Sequence, residues 1–363
     1  MKIAVIWTEL SGYLTACLNE FLGERDVELL VISNLGNRPQ SRITPYDKRI
    51  LVGINNKLIV HDRSFLKRYK QIIAALNEFK PDVILYAFQW RSPDTYGILN
   101  YARRKKIKII GTMDNTWQGS LKQLLLTYFV RGLNLLPMDS VWVPGERAAQ
   151  YAKRLFGSEV RIFRGLYCAN NDIFNIKKIN SKEELIEPRK NKFVFIGRLV
   201  KEKGIKDLIE AYKKYRLRTP NPWDLIIIGI GPLEYLLKDV EGLEHKHFVQ
   251  QWDLPKFINP GDVFVLPSLF EPWGVVIHEA ALMGLPIICS DACGASVELV
   301  QDQVNGYVFS AGNVDLLTDC LSQITECSDI NGFGQMSYQF SKRYTKEIWA
   351  KTLIKIIDQC MSN

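Results

Sequence analysis

The chain runs to 363 residues, 47% hydrophobic and 24% charged, with 24 Gly and 15 Pro. That length favours two domains with full-sized cores, and the ordinary globular composition excludes intrinsic disorder, collagen and coiled coil. No stretch reaches the roughly 18 uncharged apolar residues of a membrane span, and Met1–Glu9 is too short for a signal peptide. The seven cysteines are odd in number and form no C-x-x-C pair. They point away from a disulfide framework or zinc ribbon and towards a reducing cytoplasm. The net charge of +8 is lopsided: residues 1–168 hold 25 Lys and Arg against 14 Asp and Glu, and the remainder 22 against 25. A half that meets an anionic surface, either a membrane leaflet or an acidic polymer, carries such an excess. A solvated basic face without a partner explains it equally well.

Short apolar runs alternate with amphipathic stretches throughout. Strands are expected at Lys2–Ile6, Val27–Ile32, Val83–Ala87, Ile107–Thr112, Ser140–Val143 and Val160–Phe163. Helical patterns such as Phe65–Phe79 and Leu121–Val130 fall between them. The second half repeats the rhythm, with strands at Phe193–Gly197, Leu225–Gly229, Val263–Pro267, Pro286–Cys289 and Tyr307–Phe309. In its first helix Ile205, Leu208, Ile209 and Tyr212 share one apolar face. Strand–helix alternation implies parallel sheets with right-handed crossovers. The polar segment Asn170–Lys192 separates the two rhythms, as a linker should. The expected organisation is an N-terminal doubly wound domain over residues 1–168, a linker over 169–192 and a second such domain over 193–340. A C-terminal helix over 341–363 would pack back across both, and a cleft would separate the carboxyl ends of the two sets of strands.

Several motifs carry chemistry. In FVFIGRLVKEKG (Phe193–Gly204) a strand ends at Gly197 and a loop carries Arg198, Lys201 and Lys203 before a helix near Ile205. Cations there oppose the helix dipole unless an anion such as phosphate satisfies both them and the free amides; Glu202 offsetting the lysines is the bland alternative. In FEPWGVVIHEAALMG (Phe270–Gly284) Pro272 suits a first helical position, which places Glu271 just before a helix. The amides of Gly274, Val275 and Val276 would then form an anion cradle. Glu279, on an otherwise apolar helix, needs a partner or a ligand. Each of these two carboxylates, taken singly, reads as well as a helix cap or a surface residue. The pair Gly229-x-Gly231 lacks the third glycine of a dinucleotide fingerprint and reads as a tight turn. Gly12 follows the first strand, where it serves either a close ligand approach or an ordinary turn. His245 and His247 form an H-x-H without a visible partner set, so a loop is expected rather than a metal site. Leu121–Leu136 (LKQLLLTYFVRGLNLL) reads first as a core helix and second as a membrane-facing one.

Taken together, GRLVKEKG, GIGP, VFVLPSLFEPWGVVIHEA and GLPIICSDACGASVELVQDQVNGYVF, in that order, resemble the retaining glycosyltransferases of family 4 (glycosyl transferases group 1). Their most specific mark is the Glu271-x7-Glu279 spacing. The resemblance implies an α/β protein of GT-B fold, two doubly wound Rossmann-like domains facing each other across a cleft. It implies a nucleotide-diphosphate sugar as donor substrate, no cofactor and no metal. Arg198 and Lys203 would stabilise the leaving diphosphate, Glu271 would hold hydroxyls of the transferred sugar, and Glu279 the ribose hydroxyls. Gly274, Val275 and Val276 would contact sugar and phosphates, and Gly12 would meet donor phosphate. The family often has a histidine just after the fifth strand, where this chain has Asp114. It also usually has a glycine where this chain has Gln250 and Gln251, near the nucleobase. The expected acceptor is a glycan or lipid-linked hydroxyl. The expected location is the cytoplasm, peripheral at the inner membrane face through the basic domain, with no nucleic-acid partner. A nucleotide-sugar epimerase of the same fold and a non-catalytic nucleotide-sugar-binding subunit are the competing readings.

Overall fold

The computed structural model describes residues 1–8, 10–34, 56–60, 64–87, 93–133, 136–176, 191–258 and 261–362. The chain divides into two compact units, Met1–Cys168 with Lys346–Asn363, and Ala169–Thr345. Most of the expected linker, 177–190, lies outside the described residues.

The first unit is built on β1 (Lys2–Trp7), β2 (Glu28–Asn34), β3 (Lys57–Val60), β4 (Val83–Ala87), β5 (Lys108–Thr112), β6 (Ser140–Trp142) and β7 (Arg161–Phe163). They form one sheet in the order β3-β2-β1-β4-β5-β6-β7, and every pairing is parallel. Residues 3–7 of β1 are all buried, as a parallel strand covered on both faces requires. The connecting helices are α1 (Gly12–Glu24), α2 (Phe65–Phe79), α3 (Pro93–Lys105), α4 (Leu121–Leu133) and α5 (Glu146–Phe156). Ser11 caps α1 by accepting from the Leu14 amide at 3.4 Å.

The second unit repeats the plan with β8 (Lys192–Ile196), β9 (Asp224–Ile228), β10 (Leu243–Lys246), β11 (Val263–Leu266), β12 (Ile287–Ser290) and β13 (Gly306–Phe309), ordered β10-β9-β8-β11-β12-β13 and again parallel throughout. Its helices are α6 (Ile205–Arg218), α7 (Val275–Leu282), α8 (Ser296–Leu299), α9 (Val314–Glu326) and α10 (Ile330–Ser341). The face of α6 formed by Ile205, Leu208, Ile209 and Tyr212 is buried, as its spacing predicts. The chain then breaks after Ser341, and α11 (Lys346–Met361) belongs to the first unit. There the Trp349 indole donates to the Leu166 carbonyl at 2.8 Å and its ring lies 4.8 Å from that of Trp142.

Two expectations change. Strands β3 and β10 lack a sequence signal of their own, because KLIV is only four residues long and LEHK is polar and half-buried. The core-helix reading of α4 fails. Leu121, Leu124, Leu125, Tyr128 and Phe129 are all exposed, and Val130 is the buried side chain. All seven cysteines are free.

Backbone packs directly on backbone at the carboxyl ends of the second sheet. Gly204, at φ +68°, leaves no room for a side chain, since a Cβ there would stand 1.9 Å from the Pro267 carbonyl oxygen. Gly204→Ala combines this clash with left-handed strain and should cost roughly 2–3 kcal/mol of unfolding free energy. Urea denaturation followed by circular dichroism measures it, and a variant as stable as the parent would contradict the packing.

Candidate functional site

The strand order of the second sheet reverses between β8 and β11, and in open parallel sheets ligands bind beyond the carboxyl ends at such a point. Arg198 follows β8, Lys203 ends a 3-10 turn at Lys201–Lys203, and Glu271 follows β11. The Lys203 ammonium donates to the Glu271 carboxylate, and their side chains are 15% and 13% exposed. The two loops are also stitched by backbone, with the amides of Leu269 and Phe270 donating to the Glu202 carbonyl at 2.8 and 3.2 Å. Behind Glu271, its own carbonyl accepts from the Gly294 amide at 2.9 Å. Arg198 is exposed, and its guanidinium has no side-chain hydrogen bond or ion pair among the described residues. One guanidinium is thus available at the edge, beside one ammonium already matched by a carboxylate.

Helix α7 begins at Val275, three residues later than the Pro272 start expected from sequence. Gly274 is its N-cap, at φ +96°, a conformation L side chains rarely adopt. The amides of Val275 and Val276 lie in the first turn, where no intrahelical acceptor exists. Glu271 therefore sits on an extended approach to the helix rather than on its cap. Glu279, one turn along, is partly exposed, yet burial of its surroundings raises its carboxyl to about 7. The adjacent His278 is fully buried and moves the opposite way, to about 4, because burial disfavours its charged form. Its Nδ1 accepts from the Ala169 amide at 2.8 Å and its Nε2 donates to the Ser341 carbonyl at 3.1 Å.

Gly229-x-Gly231 is the tight turn expected, and its purpose is visible. A Cβ on Gly229 would stand 1.8 Å from the Gly197 carbonyl oxygen, and one on Gly231 2.4 Å from that of Leu199. The turn thus lies against the backbone that carries Arg198. His245 lies in β10 rather than in a loop, and Glu234 comes beside both histidines, a neighbour the sequence spacing did not reveal. Gln250 and Gln251 precede a single 3-10 turn at Leu254–Lys256.

In the first unit Gly12 is the first residue of α1, and Asp114 lies two residues beyond β5. They are linked through residues that the sequence did not single out. Tyr167 donates to the Asp114 carboxylate at 3.2 Å, and its ring meets that of Tyr13 edge-on at 5.9 Å. Burial, reinforced by the Asp114 charge, holds the Tyr167 hydroxyl protonated well above its ordinary range. Nothing in the spacing of positions 13, 114 and 167 announces this group.

Two parallel Rossmann-like sheets of this kind are the architecture of the GT-B fold. Residues 176–343 match the sequence model of Glycosyl transferases group 1. The UDP-Gal:alpha-D-GlcNAc-diphosphoundecaprenol alpha-1,3-galactosyltransferase of Escherichia coli is 30% identical over 165 residues, 43% of this chain and 42% of the relative. The alpha-monoglucosyldiacylglycerol synthase of Acholeplasma laidlawii is 29% identical over 191 residues, 49% of this chain and 46% of the relative. The chain thus spans under half the length of both curated relatives. Among solved structures, Anabaena HepE in complex with UDP and glucose superposes with a TM-score of 0.72 at 17% identity, covering 99% of each chain.

The raised Glu279 carboxyl makes a stability prediction. Its folded value of about 7 exceeds the ordinary 4.5, so the wild type loses stability as pH rises from 4.5 through 7. Glu279→Gln removes that loss. Relative to wild type, the variant should gain stability across this window and hold the gain above it, in urea titrations at several pH values.

Proposed function

We propose that this chain is a retaining glycosyltransferase of family 4 that moves a sugar from a nucleotide diphosphate to a hydroxyl of a glycan or lipid-linked acceptor, without a catalytic metal. The observation that carries this reading is the switch-point edge, where Arg198 follows β8, Lys203 pairs with Glu271 and α7 begins after Gly274. A leaving diphosphate develops negative charge as the bond from anomeric carbon to oxygen breaks, and fixed cations stabilise it. Arg198 and Lys203 supply that charge. The amides of Gly274, Val275 and Val276 contact phosphate and sugar. Donor phosphate takes over Lys203 and releases Glu271 to accept hydrogen bonds from sugar hydroxyls. Glu279 accepts from the ribose hydroxyls, as an ionised carboxylate. The acceptor hydroxyl attacks from the face the diphosphate leaves, and its proton passes to a departing phosphate oxygen. Gly12 and Asp114 belong to the first unit, where their connection through Tyr13 and Tyr167 supports a common purpose.

Nucleotide release from a panel of nucleotide sugars, measured in chelator, tests the donor reading. Slow release from one donor is expected, falling by about 10²–10³ in Arg198→Ala and lost in Glu271→Ala and Glu271→Gln. Full turnover in both Glu271 variants would refute the assignment.

The names of both curated relatives contain a lipid, diphosphoundecaprenol or diacylglycerol, which supports a lipid-linked acceptor met at the cytoplasmic membrane face. The exposed apolar face of α4, with Leu121 70% and Tyr128 74% exposed, supports the same reading within the basic unit. Beside it lies a cavity of about 850 Å³ lined by Arg103, Lys106, Lys108 and Arg131, with Asp139 and Glu159. That cavity contains none of the predicted site residues. No helix among the described residues is long and apolar enough to cross a membrane. Sedimentation with vesicles containing anionic lipid should show salt-sensitive binding, weakened in a Leu124→Ser/Tyr128→Ser variant. Equal sedimentation of variant and parent would exclude α4 as the contact.

A further inference from the structure

The two histidines of the H-x-H segment and Glu234 converge in a way that a hydrogen-bonded cluster does not. His245 Nδ1 lies 3.9 Å and His247 Nδ1 3.6 Å from the same Glu234 Oε1, and all three ligand atoms fall within 4.8 Å of one another. Both separations exceed hydrogen-bond reach. They approach the roughly 3.3–3.4 Å between neighbouring ligands that bonds of about 2.0–2.1 Å give around a tetrahedral ion.

The tautomer of His245 is fixed independently. Its Nε2 lies 2.9 Å from the Gly229 carbonyl oxygen. A carbonyl can only accept, so Nε2 carries the hydrogen, and in the neutral ring the Nδ1 lone pair is turned towards the carboxylate. Two electron-pair donors facing each other at this separation are well matched by a cation between them. A backbone carbonyl holding the far nitrogen is the usual support of a metal-binding imidazole. Lys192 and Lys246 do not supply the charge, since both pair with Glu244, at 3.2 and 3.0 Å.

We propose that Glu234, His245 and His247 bind a divalent ion of the Zn²⁺ type, with a fourth position left to water. Two imidazoles and a carboxylate suit zinc over magnesium or calcium, which prefer oxygen ligands alone. The ion would join the 3-10 turn after β9 to the end of β10 and hold the Gly229 turn against the Gly197–Leu199 backbone. None of its ligands is among the residues assigned to the donor, so its test reads binding and not activity.

The full chain, stripped with chelator, would be titrated with ZnCl2 by calorimetry and then with Co²⁺ by visible absorption. One equivalent should bind, raise the melting temperature and give the d–d bands of a four-coordinate nitrogen–oxygen site. His247 is 73% exposed, so His247→Ala should fold normally. It should weaken Zn²⁺ binding about ten-fold or more, as should Glu234→Gln. Equal affinity in parent and both variants would place the ion elsewhere, on the free thiols, and overturn the site. So would the absence of binding at micromolar Zn²⁺.

Discussion

The arrangement depends on backbone meeting backbone at the carboxyl ends of three strands. Gly204 fits under the Pro267 carbonyl and Gly229 against the Gly197 carbonyl because neither has a Cβ. These approaches draw the loops after β8, β9 and β11 into one layer. Only then can the ammonium of Lys203 reach the carboxylate of Glu271, 68 residues away. Interiors packed to crystal density transmit such constraints over short range with little slack. The side chains at this edge are therefore positioned by glycines that have no side chain of their own.

Once placed, the charges at the edge are unequal. Lys203 and Glu271 are mostly withdrawn from water and answer each other, whereas Arg198 stands exposed. Withdrawing an ion pair costs desolvation that its attraction only partly returns. The pair is therefore a modest contributor to stability. Its consequence is electrostatic order: each partner holds the other's rotamer until a stronger anion competes for the ammonium. In the proposed reaction a diphosphate is such an anion, because it would meet the guanidinium, the ammonium and the first-turn amides of α7 together. In the proposed reaction the resting pair thus acts as a placeholder for the donor.

The sequence was legible wherever one strand or one turn decides the outcome. Val263–Leu266 and Asp224–Ile228 announce themselves as short apolar runs between turn residues, and the face of α6 follows from spacing alone. Glu271 and Glu279 stand out because a carboxylate among apolar neighbours is conspicuous. The errors fall where tertiary contacts decide. LEHK pairs with β9 on a single side and carries no apolar signal, so β10 and the partner of its histidines stayed hidden. The apolar helix α4 looks like core until its exposure is seen. The start of α7 slips by three residues because Gly274, in a left-handed conformation, delays the first helical turn that Pro272 would have allowed.

Helix α7 shows why the two sides of such a site must be read together. His278 and Glu279 are adjacent, and burial acts on both, yet it pushes one down to about 4 and the other up to about 7. The same physics, a charge disfavoured away from water, keeps both neutral at mildly acidic pH. Their fates then differ. His278 spends both ring nitrogens on the backbone of Ala169 and Ser341, so nothing a ligand does can recruit it; its neutrality fixes the helix in place. Among the described residues Glu279 has no comparable partner to hold its charge, and burial is the cause of its raised value. A ligand that donates hydroxyl hydrogens favours its ionised form and so lowers that value on binding. By linkage the ligand then binds more tightly as the carboxyl ionises, and a proton is released near neutral pH. An anchor and a sensor of occupancy therefore sit on consecutive residues, separated only by which of them the fold has already satisfied.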